Sequence, residues 1–208
     1  PMTNGVTHLG NMPIGDLDLW NFTANAGDSI GLRAGQMSET GNFDPWIRLY
    51  GPDGALIASD AAAAAAEVAV RATNSGTFLV LIANDPYYSD AASGTYMLTL
   101  AKTGSPIVVS PGDEGGPLTN GVAHLGTMPV GDLDLWNFTA KAGDNLVLRV
   151  GQIVDTASFT PWVRLYGPDG ALLGSDFGAA VGEIALRATN SGTFLVLIAN
   201  NDYYNNAG

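Results

Sequence analysis

Gly15-Asp-Leu-Asp-Leu-Trp-Asn-Phe-Thr-Ala24 returns letter for letter at Gly131–Ala140, 116 positions later. Trp20 and Phe22 alternate with polar or smaller residues, the period of a half-buried β-strand. Asp16 and Asp18 lie two apart at the strand's entrance and share a face with Trp20. One strand therefore carries a core anchor and a pair of carboxylates, and the chain makes it twice.

The repeat extends well beyond this strand. Arg71–Asn84 recurs unchanged as Arg187–Asn200. The chain divides into repeat 1 (1–102), a linker rich in Gly, Ser and Pro (103–116) and repeat 2 (117–208). Each repeat is of the order of 100 residues, a common domain size.

Within repeat 1, short apolar-alternating segments are bounded by Gly, Pro, Asn or Asp. Strands are expected at Asn4–Gly10, Leu17–Ala24, Ser29–Ala34, Pro45–Tyr50, Ala55–Ser59, Glu67–Ala72, Thr77–Ala83 and Gly94–Ala101. Gly51-Pro-Asp-Gly54 is a tight turn, with Pro presetting φ and Gly permitting a positive one. Gln36–Asn42 reads as a polar loop. Six alanines at Ala61–Ala66 favour helix on propensity alone. Their counterpart, Phe177-Gly-Ala-Ala-Val-Gly182, holds two glycines and argues for a loop or bulge. The expected fold is all-β: two tandem β-sandwiches, jelly-roll-like, of about eight short antiparallel strands each. Repeat 2 has no counterpart of Gly94–Ala101 within the 208 residues. Either the natural chain continues, or another chain supplies that final strand. Ile107-Val-Val109 in the linker could pair with a sheet edge.

Three motif stretches carry a resemblance. Asp16-Leu-Asp-Leu-Trp-Asn-Phe22, Asn42-Phe-Asp-Pro-Trp-Ile-Arg-Leu-Tyr-Gly-Pro-Asp-Gly54 and Ser93-Gly-Thr-Tyr-Met-Leu-Thr-Leu100 are similar to the bacterial pre-peptidase C-terminal (PPC) domain and its relatives. The resemblance implies a secreted or surface-exposed bacterial β-sandwich, associated with calcium and with polymeric substrates such as collagen or polysaccharide. Two copies without a catalytic domain favour a repeat array over an enzyme's accessory module.

Composition narrows the function classes. Twenty acidic against eight basic residues give a net charge of −12, which excludes the cationic surface that nucleic acid requires. No apolar run is long enough for a transmembrane helix, so membrane insertion is not expected. With no cysteine, disulfides and thiol chemistry are absent. Catalysis finds no support. Gly27-Asp-Ser-Ile-Gly31 matches a nucleophile elbow, but repeat 2 reads Gly143-Asp-Asn-Leu-Val147 and loses the serine. One histidine per repeat, His8 and His124, cannot build a His-rich zinc site.

Calcium is the cofactor to consider. Hard cations take carboxylate and carbonyl oxygens. The pairs Asp16, Asp18 and Asp132, Asp134 are the candidate ligands, with Asp60, Glu67, Asp85 and Asp90 able to add oxygens from loops. The competing reading is that these acids cap turns and solvate strand ends.

Two surfaces ask for a neighbour. Trp46, Arg48 and Tyr50 share one strand face, repeated as Trp162, Arg164 and Tyr166. Aromatic rings beside a guanidinium suit a protein interface, a sugar ring, or cover by a loop of the same repeat. Thr77-Phe-Leu-Val-Leu-Ile-Ala83 is apolar on both faces: Phe78, Val80 and Ile82 fill one side, while Leu79 and Leu81 need cover as well. The leading expectation is a non-enzymatic, extracellular or cell-surface structural or adhesive repeat protein. It would form a homo-oligomer or polymer, a fibre or surface array, through strand complementation between subunits. The alternative is a polysaccharide- or matrix-protein-binding accessory module of a secreted protein, with calcium as its cofactor.

Overall fold

The computed structural model describes residues 1–40, 42–87, 91–154 and 159–201. Asp90, one of the oxygen donors considered above, lies outside them. The described residues are all β-strand, turn and irregular chain.

Repeat 1 forms β1 (Thr7–Met12), β2 (Asp18–Ala24), β3 (Ser29–Thr40), β4 (Pro45–Tyr50), β5 (Leu56–Ala61), β6 (Ala65–Arg71), β7 (Gly76–Asn84) and β8 (Ser93–Lys102). They pair as two antiparallel sheets, β1-β8-β3-β6 and β2-β7-β4-β5. That order is a jelly roll, in which the last strand lies between the first and third. Ile30, Leu32 and Ala34 of β3 face Phe78, Val80 and Ile82 of β7, all of them buried in one core. Phe22 and Phe78 stack at 5.4 Å between ring centroids. Trp20 is only partly buried; its indole Nε1–H donates to Tyr96 Oη at 2.9 Å, and Tyr96 in turn donates to Asp18 Oδ2 at 2.5 Å. The β4–β5 hairpin closes on Gly51–Gly54, where Gly54 takes φ +80°.

Two boundaries differ from expectation. β3 runs on through the polar Gln36–Thr40, because its backbone stays paired with β8 across a bulge between Gln36 and Ser38. β1 begins at Thr7 rather than Asn4. Asn4 instead uses its side-chain amide to hold the carbonyls of Lys102, Ser105 and Pro106. The alanine run bends between β5 and β6 without forming a helix.

Repeat 2 builds β10 (Leu133–Ala140), β11 (Asn145–Gly151), β12 (Pro161–Tyr166), β13 (Leu172–Phe177), β14 (Val181–Arg187) and β15 (Gly192–Asn200). A short β9 (Gly115–Pro117) adds to β10 in parallel. One sheet is complete, in the order β13-β12-β15-β10-β9. The other consists of β11 and β14 alone among the described residues. Among the described residues β1 and β8 of repeat 1 therefore have no counterpart. Besides the counterpart of β8, residues 123–128, which correspond to β1, form no strand and are largely exposed. In repeat 1, β1 joins its sheet only through β8.

The linker is not a free tether. Val108 N–H donates to the Asn4 carbonyl at 2.9 Å, and Thr7 N–H donates to Ser110 Oγ at 2.9 Å. The Ile107–Val109 segment thus lies against the start of repeat 1, and β9 then hands the chain to β10.

Candidate functional site

The two repeats share a buried junction. The outer face of β10, β12 and β15 lies against the outer face of the β3–β6–β8 sheet. Leu133, Leu135, Tyr166, Leu195, Leu197 and Ala199 cluster with Ala101 of β8, and Ile107 of the linker packs on them. The apolar second face expected for Leu79 and Leu81 is realised in repeat 2, where Leu195 and Leu197 are 7% and 1% exposed.

At the centre of the junction sits a buried Arg–Glu–Arg cluster. Arg33 on β3 and Glu67 on β6 are cross-strand partners, and Arg33 Nη1 donates to Glu67 Oε2 at 2.7 Å. Arg164 on β12 reaches across from repeat 2 and donates to Glu67 Oε1. Arg33 Nη2 also donates to the Asn200 carbonyl at 2.9 Å, a second link between repeats. Burial alone would raise the Glu67 carboxyl, but the guanidiniums of Arg164 and Arg33 outweigh it and hold the group below its ordinary value. Glu67 is thus an ion-pair partner here, and its oxygens are not spare ones for a cation.

Glycines set the closeness of the contact. A Cβ built on Gly35 of β3 would lie 2.2 Å from the Gly131 Cα, so the two backbones touch where neither residue has a side chain. Ser29 Oγ donates to the Gly170 carbonyl and Arg71 to the Asp169 carbonyl, so the β12–β13 turn also docks on repeat 1.

The sequence-nominated surface residues divide by copy. Arg48 lies over the Trp46 ring at 4.1 Å, and Arg164 lies over Trp162 at 3.9 Å. Arg164 and Tyr166 are buried in the junction, whereas Trp46, Arg48 and Tyr50 remain partly exposed. Leu17, Leu19 and Leu79 are likewise exposed, at 49%, 62% and 38%. Repeat 1 therefore presents open the face that repeat 2 has covered. The converse holds for the opposite face. Arg149 and Glu183, the counterparts of Arg33 and Glu67, pair at 3.3 Å but are 64% and 45% exposed.

The aspartate pairs also divide by copy. Asp16 is exposed and Asp18 is engaged by Tyr96. Asp132 and Asp134 are both buried and meet a third carboxylate from the linker, Asp113; one oxygen from each lies within 4.8 Å of the others. Burial and the neighbouring Asp113 push the Asp132 carboxyl up to about 6, against a hydrogen bond from Leu133 N–H. Burial, Asp132, Asp113 and Glu114 push Asp134 up to about 8. Of the loop acids, Asp60 caps the Glu67 N–H and Asp85 caps the Tyr87 N–H, which is turn chemistry.

Two parts of the junction have no mark in the sequence pattern: the Arg–Glu–Arg cluster and Asp113. The available signal was that Arg33 and Glu67 keep their identity as Arg149 and Glu183.

No family model matches the chain, and no curated protein matches it. Among solved structures it is similar to PBSX exported protein XepA, with 11% identity, a TM-score of 0.34, and coverage of 96% of this chain and 88% of that one. So distant a likeness carries no argument. Among the described residues no helix is long and apolar enough to cross a membrane.

Proposed function

We propose that this chain is a non-enzymatic structural repeat protein that stacks head to tail, each β-sandwich docking its outer sheet face on the next. The observation that carries this reading is the unequal burial of identical faces. Leu133, Leu135 and Arg164 are covered by repeat 1, while their counterparts Leu17 and Leu19 lie open and Arg48 is partly exposed at the other end. Arg149 and Glu183 present the complementary half at the far end. A contact between different patches of the same molecule does not close on itself and propagates unless the rotation makes a ring.

The occupant of each open face is a second copy. Arg48, already held over Trp46, would enter between Glu183 and Arg149 as Arg164 enters beside Glu67. The open edge of β11 adds strand complementation to the same end: a β8-type strand there would pair β11 and give residues 123–128 a partner. Extracellular or cell-surface placement belongs to this reading and rests on the resemblance to PPC domains. Glycan binding by Trp46, Arg48 and Tyr50 is the weaker reading, because their repeat 2 counterparts serve a protein–protein contact.

Electron micrographs of the purified chain over a range of concentrations test the proposal. Strings of sandwich-sized beads lengthening with concentration are expected. Single two-lobed particles at every concentration would overturn it.

A further inference from the structure

The geometry points to a calcium site formed by Asp113, Asp132 and Asp134, which fastens the linker to the first strand of repeat 2's complete sheet. Asp113 lies in the turn before β9, while Asp132 and Asp134 flank Leu133 at the start of β10. Their oxygens lie within 4.8 Å of one another. Oxygens on opposite sides of a calcium ion, each about 2.4 Å away, are about 5 Å apart, so the three can share one centre.

A second observation separates this cluster from ordinary surface acids. Asp134 is only 4% exposed, and its Oδ1 has no hydrogen-bond partner among the described residues. A buried carboxylate oxygen without a donor is costly, and two more carboxylates beside it add repulsion rather than relief. A divalent cation answers both costs at once.

Each ligand is already oriented. Asp113 accepts from Thr7 Oγ1 at 3.0 Å and from Glu114 N–H at 2.9 Å. Asp132 Oδ1 accepts from Leu133 N–H at 2.9 Å. The donor set is oxygen only, with neither His nor Cys, which suits calcium and not zinc. Water would complete the coordination. In repeat 1 the matching carboxylate, Asp18, is instead engaged by the Tyr96 hydroxyl. Through Thr7 the site also ties repeat 1 to β10, so an ion there would stiffen the junction. Calcium binding does not depend on head-to-tail stacking.

Calorimetric titration of the chelator-treated full chain with calcium, and separately with magnesium, tests this. One calcium site per chain is expected, with weaker magnesium binding. Asp134→Asn and Asp113→Asn should each weaken calcium at least tenfold, and Asp18→Asn should leave it unchanged. Thermal melts give a second readout: calcium should raise the wild-type Tm. Asp134→Asn should melt higher than wild type in chelator and gain nothing from calcium. No calcium heat and no Tm response in the wild type would overturn the proposal. An equal response in wild type and Asp134→Asn would overturn it too. Either result would mean that the Asp134 oxygen awaits only a hydroxyl from an added strand, as Asp18 has from Tyr96.

Discussion

Arg164 of the second repeat donates to Glu67 of the first, inside a junction where Arg164 is buried and the Glu67 side chain is 13% exposed. That bond joins residues 97 apart in sequence and completes a cluster that Arg33 begins on the neighbouring strand. Removing one partner of a buried ion pair strands the others and costs about 3–5 kcal/mol. Glu67→Gln should therefore lower the denaturant midpoint and split unfolding into two transitions as the repeats uncouple. Glu183→Gln, at the exposed copy of the pair, should change monomer stability by less than about 1 kcal/mol. Chemical denaturation followed by tryptophan fluorescence reads both.

Acid should loosen the same junction. Glu67 is held below its ordinary value, so its folded state binds fewer protons than the unfolded chain in that range. Its contribution is present above the group's ordinary value of 4.5 and is lost as pH falls through the lower folded value. Small-angle scattering across the acid range should show the molecule lengthening below about pH 4.5, before the sandwiches themselves unfold. In Glu67→Gln this step should be absent.

The backbone crossing of Gly35 and Gly131 gives a steric test. Gly35→Ala places a methyl group 2.2 Å from the Gly131 Cα, with backbone rather than flexible side chain opposing it. A junction shift costing about 1–3 kcal/mol is expected. Gly151→Ala, at the equivalent place in repeat 2, meets only the Val181 side chain and a carbonyl at ordinary contact distance. It should leave the monomer's melting unchanged while weakening self-association.

The sheet edge of β11 predicts a response to a strand. A synthetic peptide with the sequence of β8, Ser93–Lys102, should protect the amides of Asn145–Gly151 and of residues 123–128 from hydrogen exchange. It should protect repeat 1 little, where β8 already fills the place. A scrambled peptide should protect neither.

Much of this was legible in the residues. The two-residue alternation of β2, the Pro-Asp-Gly turn and the 116-residue repeat lead to the sandwich. The doubly apolar β7 announces that a face needs a neighbour, and Leu195 and Leu197 have one. The junction's polar centre was not legible, because Arg33, Glu67 and Arg164 come from three strands whose spacing in the chain encodes no contact. Asp113 was hidden for a related reason: a linker acid looks like solvated charge until β9 turns it toward Asp132 and Asp134. The polar end of β3 has the letters of a loop; backbone pairing with β8, and not side-chain pattern, extends the strand through it. The exposure of residues 123–128 could not be read from their own letters, which differ from those of β1 at only two positions.

Sedimentation velocity on the wild type, Arg48→Glu and Glu183→Arg tests head-to-tail stacking most directly. The wild type should form species beyond the dimer as concentration rises. Each charge reversal should shift association to at least tenfold higher concentration while leaving the monomer's melting temperature in place. A wild type that stays monomeric throughout, or assembly indifferent to both reversals, would contradict the account.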